Sequence, residues 1–111
     1  MPDTLRERPK IVCLCGSTRF MEAFYEANVR ETLAGNIVLS VGCNTKDDRM
    51  LGLSADVKAR LDELHKRKID LADEILVLNV GGYIGQSTLG EILYAERQHK
   101  PVRYLEGIGR D

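Results

Sequence analysis

The sequence has no tryptophan, few aromatic residues (5%) and no excess of charge, since 16 Lys and Arg face 17 Asp and Glu. Proteins that hold nucleic acids use stacking aromatic rings and grooves of positive charge. A chain with few rings and a net charge of -1 is therefore not expected to bind nucleic acid. A small-molecule partner is the better expectation.

Cysteine is also scarce, and the three thiols, Cys13, Cys15 and Cys43, do not have the density of a disulfide framework. Cys13 and Cys15 lie inside an apolar run, which indicates buried thiols in a reducing, cytoplasmic environment. A Cys-x-Cys pair can bind metal, but no Cys/His pair follows at ligand spacing, so no metal is expected. The first ten residues lack the apolar centre of a signal peptide, and no apolar run is long enough to cross a membrane.

The length of 111 residues predicts one domain, residues 10–111, preceded by a flexible N-terminal arm, residues 1–9. Four apolar runs alternate with three helical patterns. Strands are predicted at Ile11–Cys15, Ile37–Val41, Ile75–Leu78 and Val102–Leu105, and helices from Phe20 to Ala34, from Ser54 to Leu71 or Ala72, and from Ser87 to about Lys100. This alternation predicts an α/β fold with a parallel sheet, right-handed crossovers and helices on both faces.

The spacing of apolar residues also predicts which face of each helix is buried. The first helix is expected to bury Met21, Phe24, Tyr25, Asn28, Val29, Thr32 and Leu33. The second is expected to bury Val57, Leu61, Leu64, Lys68 and Leu71 or Ala72, and the third Leu89, Ile92, Leu93, Ala95 and Glu96.

Ligands of such folds bind beyond the carboxyl ends of the strands, and two glycine-containing turns open onto that edge. The first, Gly16-Ser17-Thr18-Arg19, offers backbone N–H groups, hydroxyls and a guanidinium to phosphate oxygens. It fits equally well an ordinary glycine turn with a Ser/Thr cap and a solvated arginine.

The second turn runs from Gly81 to Glu91 and begins the third helix. Gly85, Ser87 and Thr88 would present amide donors at a positive helix end, with the carboxylate of Glu91 one turn in, which suits an anionic ligand with an electrophilic carbon. Thr88-x-x-Glu91 also fits a capping box with Glu91 at the third helical position, and the local pattern favours the cap. The two roles are compatible, because a carboxylate held at the third helical position by its cap is also expected to be kept ionised by the helix end. Tyr83 fits either stacking on a planar ring or covering the loop.

Other charged residues have weaker patterns. Asp47 and Asp48 lie in a polar loop and fit solvated charge better than an acid or base. His65 lies beside a charged helical face and is expected to be exposed or at a boundary. The basic residues of the second helix alternate with acids, which is typical of a solvated face: Lys58, Arg60, Lys66, Arg67 and Lys68.

Three segments together resemble a known group of enzymes. Leu14–Arg19 resembles the Cys-Gly-Ser-x-Arg turn of the 2'-deoxynucleoside 5'-phosphate N-hydrolases. Ile69–Leu78 is similar to the Ile-x-x-Ala-Asp-x-Val segment of the nucleoside 2-deoxyribosyltransferases, and Ser87–Ala95 to the Ser/Gly-Thr-x-x-Glu-x-x-x-Ala motif of the same superfamily. The resemblance covers most of residues 11–105.

The resemblance implies a flavodoxin-like (Rossmann-like) three-layer sandwich with a mainly parallel four- to five-stranded sheet, assembled as a homodimer or larger. It implies cleavage or transfer of the N-glycosidic bond of a nucleoside or nucleotide, without a cofactor. Glu91 would be the nucleophile, and Gly16, Ser17 and Arg19 with Ser87 would hold a 5'-phosphate. Arg19 favours a nucleotide over a free nucleoside.

One position departs from the family pattern. His65 aligns where an Asp is common, so His65, Asp47 or Asp48 would handle protons, or the activity has been lost. The Gly81–Glu91 stretch also resembles the Gly-Gly-x-Gly-Thr-x-x-Glu motif of Lonely Guy-type phosphoribohydrolases, and of related domains that sense nucleotides without catalysis. The sequence leaves three points open: the identity of the base, whether the sugar is ribose or deoxyribose, and whether water or a second base is the acceptor.

Overall fold

The computed structural model describes residues 8–42 and 54–107. The four strands are β1 Ile11–Cys15, β2 Ile37–Leu39, β3 Glu74–Val77 and β4 Val102–Tyr104. The helices are α1 Met21–Leu33, α2 Ala55–Leu71 and α3 Gln86–Arg97, with short 3-10 turns at Thr18–Phe20 and Val80–Gly82. The order of elements is the one predicted, with strand ends that shift by one or two residues.

The strands form one parallel sheet in the order β2-β1-β3-β4. The chain first adds β2 on one side of β1 and then adds β3 and β4 on the other side. This strand order is that of flavodoxin-like folds. The predicted α/β fold with a parallel sheet in three layers is therefore confirmed, with four strands in the described residues.

Both faces of β1 are buried, as its unbroken apolar run predicts. Val12 and Leu14 point to the layer that contains α1, where they pack with Phe24. Cys13 and Cys15 point to the opposite layer, where Ile69 of α2 and Ile92 of α3 cover them. One helix therefore covers one face of the sheet and two helices cover the other.

The predicted buried face of α2 is confirmed at Ala72, which is 4% exposed, but is wrong at Leu64 and Leu71. Leu64 is 54% exposed and Leu71 is 65% exposed, whereas His65 and Ile69 are buried. His65, Ile69 and Ala72 lie on one side of the helix because they are spaced by four and three residues. The helix therefore faces β1 with an imidazole where the sequence suggested leucine.

The predictions for the other two helices are also confirmed only in part: Phe24, Ile92 and Ala95 are buried as predicted, but other predicted residues are exposed. In α1 the buried side chains are Phe24, Ala27 and Glu31, while four predicted core residues lie exposed at intervals of four: Met21, Tyr25, Val29 and Leu33. In α3 the exposed leucines are Leu89 and Leu93, and the buried residues are Thr88, Glu91, Ile92 and Ala95.

The predicted ends of α1 and α2 are confirmed by their hydrogen bonds. The Ser54 hydroxyl accepts from the backbone N–H of Val57 at 3.1 Å, which makes Ser54 the N-cap of α2. Gly35 ends α1 with a φ of 92°, and its N–H donates to the Thr32 carbonyl at 2.9 Å.

The predicted N-terminal arm lies mostly outside the described residues. Arg8, which belongs to it, donates two hydrogen bonds to the Asp73 carboxylate, at 2.6 and 2.9 Å. Asp73 also accepts from the backbone N–H of Ile11, so the end of the arm is joined to the start of the sheet. Across residues 8–42 and 54–107, no helix has the length and apolar character needed to cross a membrane.

The carboxyl ends of β1 and β3 meet at Gly16. The Leu78 N–H donates to the Cys15 carbonyl at 2.8 Å, which brings Leu78 against the turn that follows β1. A methyl group at Gly16 would lie 3.2 Å from Leu78 Cβ and 3.3 Å from the Leu78 carbonyl oxygen. Neither atom is the end of a flexible side chain, so the close packing requires glycine there.

We predict that Gly16→Ala lowers the free energy of unfolding by about 1–3 kcal/mol, because the added methyl overpacks a rigid contact. Gly90→Ala is the matched control: Gly90 lies inside α3, where an added methyl group would meet no atom of another element within 4 Å, and the change should stabilise the helix by about 0.5–1 kcal/mol. Urea unfolding of both variants measures the difference. Equal stability of the two variants would contradict the packing argument.

Candidate functional site

A cavity of about 300 Å³ opens at the carboxyl edge of β1 and β3. Every predicted site residue that the structure describes lines it: Gly16, Ser17, Thr18, Arg19, His65, Tyr83, Gly85, Ser87, Thr88 and Glu91. Asp47 and Asp48 lie outside the described residues. The two glycine turns, separated by some 60 residues of chain, therefore share one cavity.

The turn after β1 satisfies part of its own hydrogen bonding. The Ser17 hydroxyl accepts from the backbone N–H of Arg19 at 3.2 Å and caps the 3-10 turn, as the ordinary-turn alternative expected. The Arg19 guanidinium is exposed and lies 4.5 Å from the centre of the Tyr83 ring. No carboxylate among the described residues forms an ion pair with it. Among the described residues its charge is thus stacked on an aromatic ring and has no carboxylate partner.

Tyr83 connects the two turns. Its ring meets Phe20 edge to face at 5.9 Å and carries Arg19 over its face. Its hydroxyl would lie 3.1 Å from a methyl group on Gly85, so the ring folds back over the start of α3. Tyr83 therefore covers the loop, and the Arg19 guanidinium occupies one face of its ring.

The capping-box prediction is wrong. Helix α3 begins at Gln86 with Gly85 as its N-cap, so Thr88 is the third helical residue and Glu91 lies a full turn further on. The first intrahelical bond is from the Leu89 N–H to the Gly85 carbonyl at 2.9 Å. The N–H groups of Gln86, Ser87 and Thr88 have no acceptor within the helix, and these three residues line the cavity.

The glycine segment before α3 is held in place by Glu106, which follows β4. Gly81 and Gly82 have φ values of 63° and 83°, which only glycine adopts readily. The Glu106 carboxylate accepts from the Gly81 N–H at 2.9 Å. The Asn79 side chain donates to the Glu106 carbonyl and accepts from its N–H, at 3.0 and 2.9 Å. These bonds fix the loop that carries Tyr83.

Glu91 lies on the floor of the cavity and is 8% exposed. Burial raises the pKa of its carboxyl group to about 7, although the nearby His65 opposes the shift. The expectation that the helix end keeps Glu91 ionised is therefore wrong. Six positions into α3, the carboxyl group lies beyond the first turn, where the effect of the helix end is strongest.

His65 is buried, which corrects the expectation of an exposed or boundary residue. Its Nε2 lies 3.1 Å from the Leu14 carbonyl oxygen, 3.5 Å from the Cys13 sulfur and 3.6 Å from the Cys15 sulfur. Burial lowers the pKa of His65, but the Cys13 sulfur and the nearby Glu91 carboxyl group together outweigh that effect and leave the pKa above its usual value. The His65 ring thus contacts strand β1, and His65 also lines the cavity.

The two cysteines are buried free thiols, as predicted. Cys15 lowers the pKa of Cys13 to about 6, with a contribution from His65 and against the effect of burial. Cys13 and burial together raise the pKa of Cys15. The two sulfurs and a ring nitrogen of His65 lie within 4.8 Å of one another, which makes them the one cluster among the described residues with the donors for a metal.

Lys68 was predicted both on the buried face of the helix, from its spacing, and on the solvated face, from its charge; it is half-buried and lines the cavity. Its Nζ donates to the Ser40 carbonyl at 2.6 Å, which ties α2 to the end of β2. The signal in the sequence was its spacing of three from His65, which places both on one side of the helix. Asp62, also a lining residue, shares that side.

No protein-family model matches the chain, and a search of curated proteins finds no significant match. The resemblance therefore depends on the three motifs alone.

We predict that Glu91→Gln stabilises the protein more at pH 8 than at pH 5. Burial raises the pKa of Glu91 from 4.5 to about 7, so the folded protein binds this proton more tightly than the unfolded chain. The stability that depends on this proton is complete below pH 4.5 and is lost as the pH rises through 7.

The uncharged amide of the Glu91→Gln variant does not titrate, so the gain at pH 8 should be of the order of 1–3 kcal/mol larger than at pH 5. Urea unfolding at both pH values, with a chelator present, measures it. Glu96→Gln, which changes an exposed carboxylate of the same helix, is the control and should change little. A gain that does not depend on pH would show that Glu91 titrates normally.

Proposed function

We propose that the protein cleaves the N-glycosidic bond of a nucleoside 5'-monophosphate, with Glu91 as the nucleophile at the anomeric carbon. The observation that carries the proposal is that Glu91 and the Gly16–Arg19 turn line one cavity. An anion-binding group and a buried carboxylate have to act on the same small molecule, and a shared cavity allows this.

The phosphate would lie at the rim between the two turns. Arg19 supplies an exposed positive charge there, and the amides at the start of α3 supply further donors. The Ser17 and Ser87 side chains line the same region. A guanidinium held by an aromatic ring rather than by a carboxylate keeps its N–H groups for an incoming anion.

The sugar would then extend inward to Glu91. The C–N bond of a nucleotide breaks through an oxocarbenium-like state, and a carboxylate next to C1' can capture that state covalently. Water or a second base then resolves the intermediate. A cavity of about 300 Å³ is at the small end of ligand pockets, which suits a molecule of nucleotide size.

The leaving base must accept a proton. His65 lines the cavity with Glu91 and is the described residue whose chemistry fits that role. It also occupies the position where the resemblance expects an Asp. Asp47 and Asp48 are the alternatives from the sequence.

We predict that Glu91→Gln lowers the rate of base release from nucleoside monophosphates by more than about 1000-fold, because the amide cannot form the glycosyl ester. A panel of ribo- and deoxyribonucleoside monophosphates, assayed by chromatography for the free base, measures this. Glu96→Gln, on the exposed side of α3, should keep full activity.

Three other outcomes are informative. Full activity in Glu91→Gln would remove Glu91 as the nucleophile. Release from ribonucleotides alone would favour a phosphoribohydrolase of the Lonely Guy type. Nucleotide binding without release of base in the wild type would leave a nucleotide-sensing domain.

We also predict that Arg19→Ala lowers kcat/KM for a nucleotide by about 10- to 150-fold, the range expected for loss of a hydrogen bond to a charged group. The matching nucleoside has no phosphate, so its kcat/KM should change less than about threefold on the same scale. Arg30→Ala, which removes an exposed arginine of α1, is the control. An equal loss for nucleotide and nucleoside would contradict the phosphate assignment.

A further inference from the structure

Two thiols and an imidazole meet beneath the cavity. Cys13 and Cys15 belong to β1 and are fully buried, and His65 comes from α2. The two sulfurs and a ring nitrogen lie within 4.8 Å of one another. Cys15 belongs to the Cys-Gly-Ser-x-Arg turn of the resemblance, but the resemblance gives neither cysteine a role and the proposed reaction uses neither.

The two nitrogen-to-sulfur distances match those of a tetrahedral metal site, and the sulfurs lie within 4.8 Å of each other. Zinc binds sulfur at about 2.3 Å and imidazole nitrogen at about 2.0–2.1 Å, so a tetrahedral angle separates the two ligand atoms by about 3.5–3.6 Å. His65 Nε2 lies 3.5 Å from the Cys13 sulfur and 3.6 Å from the Cys15 sulfur. An ion could therefore bind without a large movement of any of the three.

The fold holds these donors in place before any ion binds. Residues two apart on a strand point to the same face of the sheet, so Cys13 and Cys15 present their sulfurs together. Ile69, one turn after His65, is packed in the same core as both cysteines and fixes the rotation of α2. Neither thiol is used in a disulfide.

The competing explanation is that His65 and the two cysteines form a structural core cluster whose hydrogen bonds are already satisfied. His65 Nε2 lies within hydrogen-bond distance of the Leu14 carbonyl, at 3.1 Å, and an ion at Nε2 would replace that bond. A single neutral hydrogen bond contributes little beside the free energy of a zinc–thiolate site, so the cost does not prevent binding.

We propose that Cys13, Cys15 and His65 bind one thiophilic metal ion, Zn²⁺, with the fourth position taken by water or by Glu91. On binding, each sulfur that carries a proton loses it, the Nε2 proton is lost or moves to Nδ1, and the freed electron pairs form the bonds to the metal. The released protons pass to the buffer, and nothing is oxidised or reduced.

The expectation of no metal came from spacing along the chain, where no Cys/His pair follows Cys15 at ligand spacing. The third ligand lies 50 residues away, on the crossover helix. The metal site does not depend on the proposed glycosidase activity. It bears on it, however, because an ion on Nε2 would prevent proton transfer at that atom, so zinc should inhibit base release if both proposals hold.

We predict that the Cys43→Ser, His99→Asn double variant binds one Co²⁺ or Zn²⁺ per chain. These changes remove the other cysteine and the other histidine of the sequence, and asparagine suits the φ of 60° at position 99. Titration with Co²⁺ should produce thiolate-to-cobalt charge-transfer absorption, and Zn²⁺ should displace the cobalt.

Cys13→Ser, Cys15→Ser or His65→Asn in that background should weaken binding by more than about 100-fold, beyond the 10- to 100-fold typical of an outer-shell change. Circular dichroism verifies folding of each variant. Undiminished binding in these variants, or the absence of one-to-one binding in the parent, would overturn the proposal.

X-ray absorption of the zinc-loaded parent gives a test that does not depend on whether the variants fold. Two sulfur neighbours and at least one imidazole nitrogen are expected around the zinc. A shell of nitrogen and oxygen alone would overturn the proposal. Neither result depends on base release, so failure of the metal site and failure of the proposed function are separately visible.

Discussion

The pairing of β1 with β3 is the constraint on which the rest of the structure depends. Cys15 is in register with Val77, and the Leu78 N–H bonds to the Cys15 carbonyl, so the two strands end side by side. From there β1 leads to α1 on one face of the sheet, and β3 leads to α3 on the other. The connections that follow the two strands therefore leave opposite faces of the sheet at this point. They leave a crevice between them, as in other parallel sheets where the strand order reverses.

The sequence predicts the elements better than it predicts their orientation. Unbroken apolar runs identify strands covered on both faces, and capping residues such as Ser54 and Gly35 identify helix ends, because each signal is local. Which side of a helix is buried is decided by its neighbours. Leu64 looked like core and is exposed, while His65 looked like surface and is buried, since one residue of rotation separates the two.

The same distinction between local signals and contacts made by distant parts of the chain applies to the site. The residues of the two glycine turns could be found because they directly follow strands whose ends share an edge. The start of α3 could not be predicted, because Gly85, Ser87 and Thr88 are all acceptable N-caps. Only the backbone shows that Gly85 is used. The meeting of His65 with Cys13 could not be read from the chain either, because a whole crossover helix separates them.

Buried carboxylates at the two ends of the sheet differ in a way that favours the carboxyl edge as the functional one. At the amino end, Glu31 and Glu74 are buried but bonded to Arg103, at 3.0 and 2.6 Å, so their charges are compensated. Glu91 has no ion-pair partner among the described residues, and burial raises its pKa to about 7. A buried acid without an ion-pair partner costs folding free energy. Such a cost, beside a cavity, is more typical of a site of chemistry than of an element that stabilises the fold.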